Sequence, residues 1–131
     1  GQDSLDRRFY ERRYTKVEPQ HFEPIVEGMW RGVNVSGTST AACLDGWDVC
    51  GKTGTAQNPH GRDHSTFLSF APKDDPQIAI SVYVENGGFG ATIALPIASL
   101  LEEFYLTDTI CRPELLLRVK NMQIYYPAYD K

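Results

Sequence analysis

A short polar stretch, Lys52-Thr53-Gly54-Thr55, combines the side chains that hold a carboxylate. Lys52 supplies a positive charge, and the hydroxyls of Thr53 and Thr55 can donate hydrogen bonds to a carboxylate oxygen. Gly54 lets the backbone of a ligand approach closely. If the stretch lies on the edge of a sheet, an extended peptide can pair with it as an added strand. These residues therefore predict a site for the carboxylate end of a peptide.

The sequence before this stretch predicts a helix that would help to position it. The helix follows Pro19, a residue that suits a first helical turn. Apolar side chains recur there at the three- and four-residue spacing of one helix face. They are Phe22, Ile25, Val26, Met29, Trp30 and Val33. We expect this face, Trp30 included, to pack in the core.

Three strands are predicted in the middle of the chain. The first covers 47–57 and holds the polar stretch, and the second covers 64–71. The third, 78–85, alternates aliphatic residues with more polar ones, which is typical of a strand whose two faces differ in polarity. The connections are short and rich in proline, glycine and aspartate, which favours turns and antiparallel pairing.

A second strong helix is predicted to begin near Thr92, with Pro96 in its first turn. We expect its inward-facing residues to cover one face of the sheet. They are Ile97, Ala98, Leu101, Phe104 and Tyr105. The tail beyond Thr107 predicts a short helix over 113–119, followed by tyrosines at 125, 126 and 129 that could pack loosely or contact a partner. The fold class is therefore α+β, with an antiparallel sheet of at least three strands and packed helices.

Composition limits the kind of protein this is. The chain has 131 residues, 41% of them hydrophobic and 23% charged, as in a globular protein with one modest core. A net charge of -4 argues against a nucleic-acid partner. The basic residues between Arg7 and Lys16 are mixed with acidic ones and predict a solvated segment. No apolar run approaches the ~20 residues that span a bilayer, so we expect any membrane anchor to lie outside this chain.

Cysteine and histidine spacings favour no metal site. Cys43, Cys50 and Cys111 match neither a metal-ligand pattern nor a disulfide-dense scaffold. Cys43 and Cys50 flank the turn dipeptide Asp45-Gly46, so either a hairpin disulfide or two unbridged thiols fits. The cluster of His60, Asp63 and His64 is interpreted as loop residues, and no metal or other cofactor is predicted. The glycine turn at 87–90 lacks the spacing of nucleotide-binding loops.

Several stretches together resemble one protein family. Lys-Thr-Gly is the third signature of penicillin-binding proteins and β-lactamases. The sequence around it resembles the end of class B penicillin-binding proteins, most closely their elongation-type members. The stretches that carry this resemblance are 28–34 with the following Gly37-Thr38 loop, 51–57, 63–72, and 78–86 with the glycine turn after it. It covers roughly residues 19 to 106, which we treat as the C-terminal portion of the transpeptidase domain, between a polar lead-in at 1–18 and a tail at 107–131.

The resemblance implies a partial penicillin-binding or serine β-lactamase-like transpeptidase fold. An enzyme of this family attacks the D-Ala-D-Ala end of a peptidoglycan stem peptide, releases D-alanine and passes the acyl group to an amine. β-Lactams would be trapped as acyl-enzymes. The implied location is the periplasmic side of the bacterial inner membrane. The implied partners are the stem peptide, β-lactams, the remainder of the transpeptidase domain and a cell-wall elongation glycosyltransferase.

The resemblance also implies a role for each residue of the polar stretch. Lys52 would set the field around the nucleophile and the substrate carboxylate, and the Thr53 and Thr55 hydroxyls would bind that carboxylate. Gly54 completes the substrate-binding strand, and the backbone N–H of Thr55 would donate to the oxyanion. Lys52 and Thr55 are thus the predicted catalytic residues.

The nucleophile of such an enzyme is not found in this sequence. No serine is followed by lysine three residues later, and no Ser-x-Asn occurs. We therefore expect this chain alone to be inactive and not to be acylated by penicillin. The alternative is a non-catalytic peptide-binding or interaction module. A secreted β-lactamase shares Lys-Thr-Gly but fits poorly with the residues that follow it.

Overall fold

The computed structural model describes residues 13–124. Most of the basic lead-in segment and the tyrosines at 125, 126 and 129 lie outside these residues. The described part contains three helices, which we label α1 to α3, three strands, β1 to β3, and two 3-10 turns at Pro19–His21 and Thr40–Ala42. In chain order they are α1 (Glu23–Asn34), β1 (Cys50–Ala56), β2 (His64–Ala71), β3 (Ile78–Val84), α2 (Ala94–Thr107) and α3 (Pro113–Lys120).

The strands form one antiparallel sheet in the order β1-β2-β3. The second strand has the predicted bounds, and the other two are shorter than the predicted ranges by one to three residues at their ends. With the helices packed around this sheet, the α+β class is confirmed. The shorter β1 has a local cause, because Trp47 pairs with Leu44 in a tight turn through Gly46 before the strand begins.

The two faces of the sheet differ in what covers them. On one face β2 presents Ser65, Phe67 and Ser69, all buried. The predicted alternation in β3 is confirmed, because Ile78, Ile80, Val82 and Val84 are half-buried on that same face. The opposite face carries Leu68 and Tyr83, each more than half exposed. Helix α2 packs on the first face, where its Leu95 and Ala98 join Phe67 in the core.

Helix α1 forms where the periodicity predicts it, but its apolar face is only partly covered. Val33 is buried, whereas Phe22 and Ile25 are exposed. Trp30 is half-buried instead of core; its indole Nε1 donates to Asp48 Oδ1 at 2.7 Å, and its ring carries the Lys73 ammonium 4.9 Å from the centroid. The prediction failed because α1 lies beside β1, and no layer in 13–124 covers its far side.

Helix α2 buries a different side from the predicted one. Only Ala98 of the five predicted residues is buried; Ile97 is half-buried, and Leu101, Phe104 and Tyr105 are more than half exposed. The helix is apolar around most of its circumference, so its periodicity does not select one face. The buried side combines small residues, which allow close packing on the sheet, with Leu95, Leu100, Glu102 and Glu103.

The three cysteines are unbridged in the structure. Cys43 is exposed and Cys50 is buried, and burial raises the pKa of the Cys50 thiol to about 11. The short helix predicted in the tail is present as α3. None of the helices within 13–124 has the length and apolar character to cross a membrane.

Candidate carboxylate-binding site

The polar stretch lies on β1, which is an outer strand of the sheet. Strand β2 pairs with one side of it, with Thr53 opposite Phe67 and Thr55 opposite Ser65. Lys52 and Thr55 are exposed, and Thr53 and Gly54 are half-buried. Helix α1 lies against the start of the strand, where Val33 approaches Gly51 and the Cys50 thiol lies 3.8 Å from the Val26 carbonyl oxygen. The remainder of β1 is an accessible strand edge.

Close packing at Gly90 distinguishes the backbone groups of β1 that point into the sheet from those that point to its outer edge. A Cβ atom at Gly90 would overlap the carbonyl oxygens of Gly54 and Thr66 and come within 3.0 Å of the Gly54 nitrogen. These atoms therefore converge between β1 and β2. Because backbone groups alternate in direction along an antiparallel strand, the N–H and C=O of Thr53 and Thr55 point to the outer edge.

The cation of the site lies at the same edge. Lys52 Nζ donates a hydrogen bond to the Thr53 carbonyl oxygen at 2.7 Å. The side chains of Thr53 and Thr55 lie on one face of the strand and that of Lys52 starts from the other, so the lysine reaches around the edge. A positive charge, two hydroxyls and the Thr55 N–H thus meet along one exposed edge, which suits a bound carboxylate.

A further hydroxyl, which sequence reasoning missed as a site residue, contacts this group. Thr38 Oγ1 lies 2.7 Å from Thr53 Oγ1, a hydrogen bond between residues fifteen positions apart. The only signal in the sequence was the similarity of the Gly37-Thr38 loop to the segment before the strand in the resembling family, and that similarity assigns no role to Thr38.

The loop that carries Thr38 is held from two sides. Gly37, at φ +148°, packs so closely on Gly32 of α1 that a Cβ would lie 3.1 Å from the Gly32 carbonyl oxygen. On the other side, Arg112 Nη1 donates to the Ala41 carbonyl oxygen at 3.2 Å. The same guanidinium binds Ser99 Oγ at 2.8 Å and Glu103 Oε2 at 3.2 Å. A residue of the predicted tail therefore fixes the loop beside the site.

Behind the sheet lies a buried carboxyl group that sequence reasoning also missed. Glu102 of α2 is fully buried, and neither of its oxygens has a hydrogen-bond partner within residues 13–124. Burial raises the pKa of Glu102 to about 7, while the Ser69 hydroxyl and the positive charge of Arg112 lower it. Ser69 lies on β2, so the Glu102 carboxyl lies under β2, the strand that pairs with β1.

Of the predicted cluster, His60 and Asp63 lie in the connection between β1 and β2, whereas His64 is the first residue of β2. His64 Nδ1 accepts from the Asn86 N–H at 3.0 Å, and its ring lies 5.4 Å from that of Tyr83. Asp63 Oδ1 accepts from the Asn58 N–H at 3.1 Å. No group of three or more metal-ligating side chains occurs among residues 13–124. These contacts order the connection between β1 and β2.

Comparison of this sequence with known proteins identifies a family and several relatives. The family model for the penicillin-binding protein transpeptidase domain matches residues 10–101. The peptidoglycan D,D-transpeptidase MrdA of Haemophilus influenzae is 33% identical over 110 residues, which covers 71% of this chain and 17% of that protein. The stage V sporulation protein D of Bacillus subtilis is 34% identical over 102 residues, or 70% of this chain and 15% of that protein.

The solved structures that resemble this chain are also penicillin-binding proteins. Penicillin-binding protein 2 of Pseudomonas aeruginosa, in complex with WCK 5153, superposes with a TM-score of 0.62 and 33% identity over 72% of this chain and 21% of that one. The imipenem acyl-enzyme of penicillin-binding protein A from M. tuberculosis gives a TM-score of 0.59 and 32% identity over 70% of this chain and 20% of that one. The matched part of this chain thus covers 15–21% of the length of these relatives.

Proposed function

Because the chain belongs to the penicillin-binding protein transpeptidase family, as part of a class B transpeptidase domain, we propose that it supplies the substrate-binding strand of a peptidoglycan D,D-transpeptidase. Relatives named MrdA and the structure of penicillin-binding protein 2 support the elongation-type branch. One observation carries the proposal: Lys52, Thr53 and Thr55 meet at an accessible strand edge whose backbone groups point outward.

The stem peptide would lie along β1 with its terminal carboxylate beside Thr53 and Thr55. The Lys52 charge would attract that carboxylate and lower the cost of proton movement at the nucleophile. The outward Thr55 N–H would donate to the oxyanion that forms at the carbonyl under attack, a contact whose loss raises a barrier by about 3 kcal/mol. Gly54 would let the peptide approach the strand.

The serine nucleophile would come from another part of the transpeptidase. Its oxygen would attack the penultimate D-alanine carbonyl, and the leaving D-alanine would take up a proton as the acyl-enzyme forms. An amine from a neighbouring stem peptide would then take the acyl group and release the serine. One relative, penicillin-binding protein A from M. tuberculosis, has been solved as an acyl-enzyme with imipenem and again with ceftriaxone, which supports β-lactams as ligands of the same site.

We assign residues 19–106 to the transpeptidase domain, 1–18 to a lead-in segment and 107–131 to a tail. The remainder of the transpeptidase domain is the first partner of this chain, and an elongation glycosyltransferase is a second. The whole protein would act at the periplasmic side of the inner membrane. The contact of Arg112 with Ala41 makes the tail part of the same packed unit.

Labelled penicillin tests the proposal directly. A longer protein that extends upstream to a Ser-x-x-Lys motif should be labelled covalently, and the present chain should not. Lys52→Ala in the longer protein should slow labelling by at least tenfold, while Lys120→Ala, a lysine on α3 outside the site, should leave it unchanged. An unlabelled longer protein with an intact Ser-x-x-Lys would refute the transpeptidase.

A non-catalytic peptide-binding module is the second candidate, since the sheet edge could bind an extended peptide without any chemistry. It would give reversible binding of a peptide ending in D-Ala-D-Ala to both proteins, with no covalent product in either. The two candidates are therefore separated by the same pair of samples.

A further inference from the structure

We propose that Thr38 is a positioning residue that aims the Thr53 hydroxyl at the ligand carboxylate. The inference rests on the proposed function and adds a residue to that site. Its basis is the 2.7 Å hydrogen bond between the Thr38 and Thr53 hydroxyl oxygens. Thr38 lies on the loop between α1 and β1, outside the strand that carries the other site residues.

The donor and acceptor capacities of the groups fix the direction of this hydrogen bond once a ligand is bound. A hydroxyl has one proton to donate and two lone pairs to accept with, whereas a carboxylate can only accept. If Thr53 donated to Thr38, it would have no proton left for the ligand. The arrangement that satisfies every group has Thr38 donate to Thr53 Oγ1 and Thr53 donate to the carboxylate.

This arrangement strengthens the contact with the ligand. A hydroxyl that accepts a hydrogen bond becomes a better donor, because chains of hydrogen bonds polarise one another. Without Thr38, the Thr53 hydroxyl would rotate freely and bond water in most of its orientations. Thr38 therefore acts before the ligand arrives, by reducing the number of orientations of the Thr53 proton.

The loop is built to keep Thr38 in place. Its first half is tied to the end of α1, where the Ser36 N–H donates to the Arg31 carbonyl oxygen at 3.0 Å and Gly37 packs on Gly32. Its second half is buried at Ser39 and Ala42 and is held by Arg112 at Ala41. Thr38 itself is exposed between these two anchors, as a ligand-facing group must be.

The contribution of Thr38 should depend on the charge of the ligand. A carboxylate accepts the aimed proton strongly, whereas an ester has a weaker acceptor and no charge. The Thr38 hydroxyl is thus expected to favour ligands with a free carboxylate over otherwise identical neutral ones. A residue that merely stabilised the loop would affect both ligands equally.

The test uses the full transpeptidase that contains this chain and its serine. The second-order rate constant of acylation is measured with benzylpenicillin and with its methyl ester, for wild type, Thr38→Val and Thr38→Ser. Thr38→Val should slow the reaction with benzylpenicillin by about tenfold, the effect expected for one hydrogen bond in a charged network. It should change the rate with the ester less than twofold, and Thr38→Ser should restore the wild-type ratio.

Thr40→Val is the matched control, because Thr40 belongs to the same loop and its hydroxyl only approaches the Gly37 carbonyl oxygen at 3.5 Å. It should leave both rates unchanged. Thr38→Val should also have no further effect in a Thr53→Val background, since the two hydroxyls act as one unit. Thermal unfolding of each variant separates loss of fold from loss of the contact.

The outcomes distinguish the two proposals. If wild type is acylated and Thr38→Val reacts like wild type, or slows equally with both ligands, the role of Thr38 is refuted and the transpeptidase stands. If wild type itself is not acylated, the proposed function fails and this inference fails with it.

Discussion

Individual side chains of this molecule meet sharply different surroundings at the edge of the sheet and beneath it. Lys52 and Thr55 are in contact with solvent at the edge of β1, whereas Glu102 of α2, under the neighbouring strand β2, is fully buried. A carboxyl group without hydrogen-bond partners avoids charge, because ionisation in a low-dielectric surrounding is costly. Glu102 should therefore contribute to the pH dependence of the stability of the fold.

Glu102 should make the protein less stable as pH rises. Its pKa is about 7 in the folded protein, against an ordinary value of 4.5. Between these values the unfolded chain is ionised while the folded one holds the proton, so the unfolded state binds fewer protons. The free energy of unfolding should then fall by up to about 1.4 kcal/mol for each pH unit in this window and level off above pH 7.

Urea unfolding at several pH values between 4.5 and 8.5 measures this slope. Glu102→Gln, which resembles the protonated acid in shape and donor capacity, should remove most of it. Glu85→Gln, at an exposed position after β3, should keep the wild-type slope. Equal slopes in wild type and Glu102→Gln would show that this carboxyl is ionised or solvated in the folded protein.

The prediction of a carboxylate-binding stretch at 52–55 rests on residue types alone, because a cation, two hydroxyls and a glycine in adjacent strand positions lie close together in any fold that exposes the strand. Thr38 and Arg112 could not be found in this way. Their roles depend on contacts over 15 and 71 positions of sequence, which only the packed molecule fixes. Nothing in the local sequence of either residue indicates such a contact.

Among the elements, the connection between β3 and α2 packs closely onto β1, the strand that carries Lys52. Gly90 lies directly over the backbone atoms of Gly54 and Thr66. A side chain at position 90 would therefore overlap the sheet backbone. Ser65 ties the same connection to β2, since its hydroxyl donates to the Phe89 carbonyl oxygen and accepts from the Ala94 N–H.

Gly90→Ala should destabilise the protein and disturb the β1-β2 pairing. The added methyl group would overlap two backbone carbonyl oxygens, which cannot move without breaking the ladder, and overpacking of this kind costs roughly 1–3 kcal/mol or more. The free energy of unfolding and amide hydrogen exchange at Gly54 and Thr66 report the two effects.

Gly28→Ala provides the control for that substitution. Gly28 lies within α1 with no atom within 4 Å of an added Cβ, so alanine there should raise stability by up to about 1 kcal/mol. Wild-type stability and exchange in Gly90→Ala would contradict the close approach of this connection to β1.

The success of sequence reasoning also differed between elements. The strands were predicted well because alternation and turn residues mark their limits, and β2 begins and ends at the predicted residues. The buried side of α2 was predicted wrongly because apolar residues surround most of that helix. A helix of this composition is expected to contact protein on more than one side. The spacing of its apolar residues therefore cannot predict which side packs on the sheet.

On the scale of the whole molecule, apolar surface is the prominent feature. Large apolar side chains are more than half exposed on α1, on the open face of the sheet and on α2. They include Ile25, Leu68, Tyr83, Leu101, Phe104 and Tyr105. The chain spans about a fifth of its relatives' length, so these surfaces fit contacts with the remainder of a transpeptidase domain.

The chain on its own should therefore self-associate at micromolar concentration. Replacing Leu101 and Phe104 together by glutamate should shift sedimentation toward the monomer, because both residues lie on the exposed side of α2 and contribute little to the core. Replacing the already polar, exposed Asp74 and Asp75 by glutamate is the control and should leave the distribution unchanged. A wild-type chain that stays monomeric at high concentration would show that these side chains do not drive self-association.

Each strand of the sheet pairs with its neighbour along the chain, through connections that span only 57–63 and 72–77. Short loops lose little entropy on closing, and contacts between nearby residues form quickly. Hairpins form in about 1–10 μs, while a ribosome adds roughly 5–20 residues each second. We expect β1, which carries Lys52, to sample its register with β2, and β2 to sample its register with β3, before α2 docks on them. During biosynthesis the helix would then dock on strands that have already begun to pair, and its docking would stabilise the paired sheet.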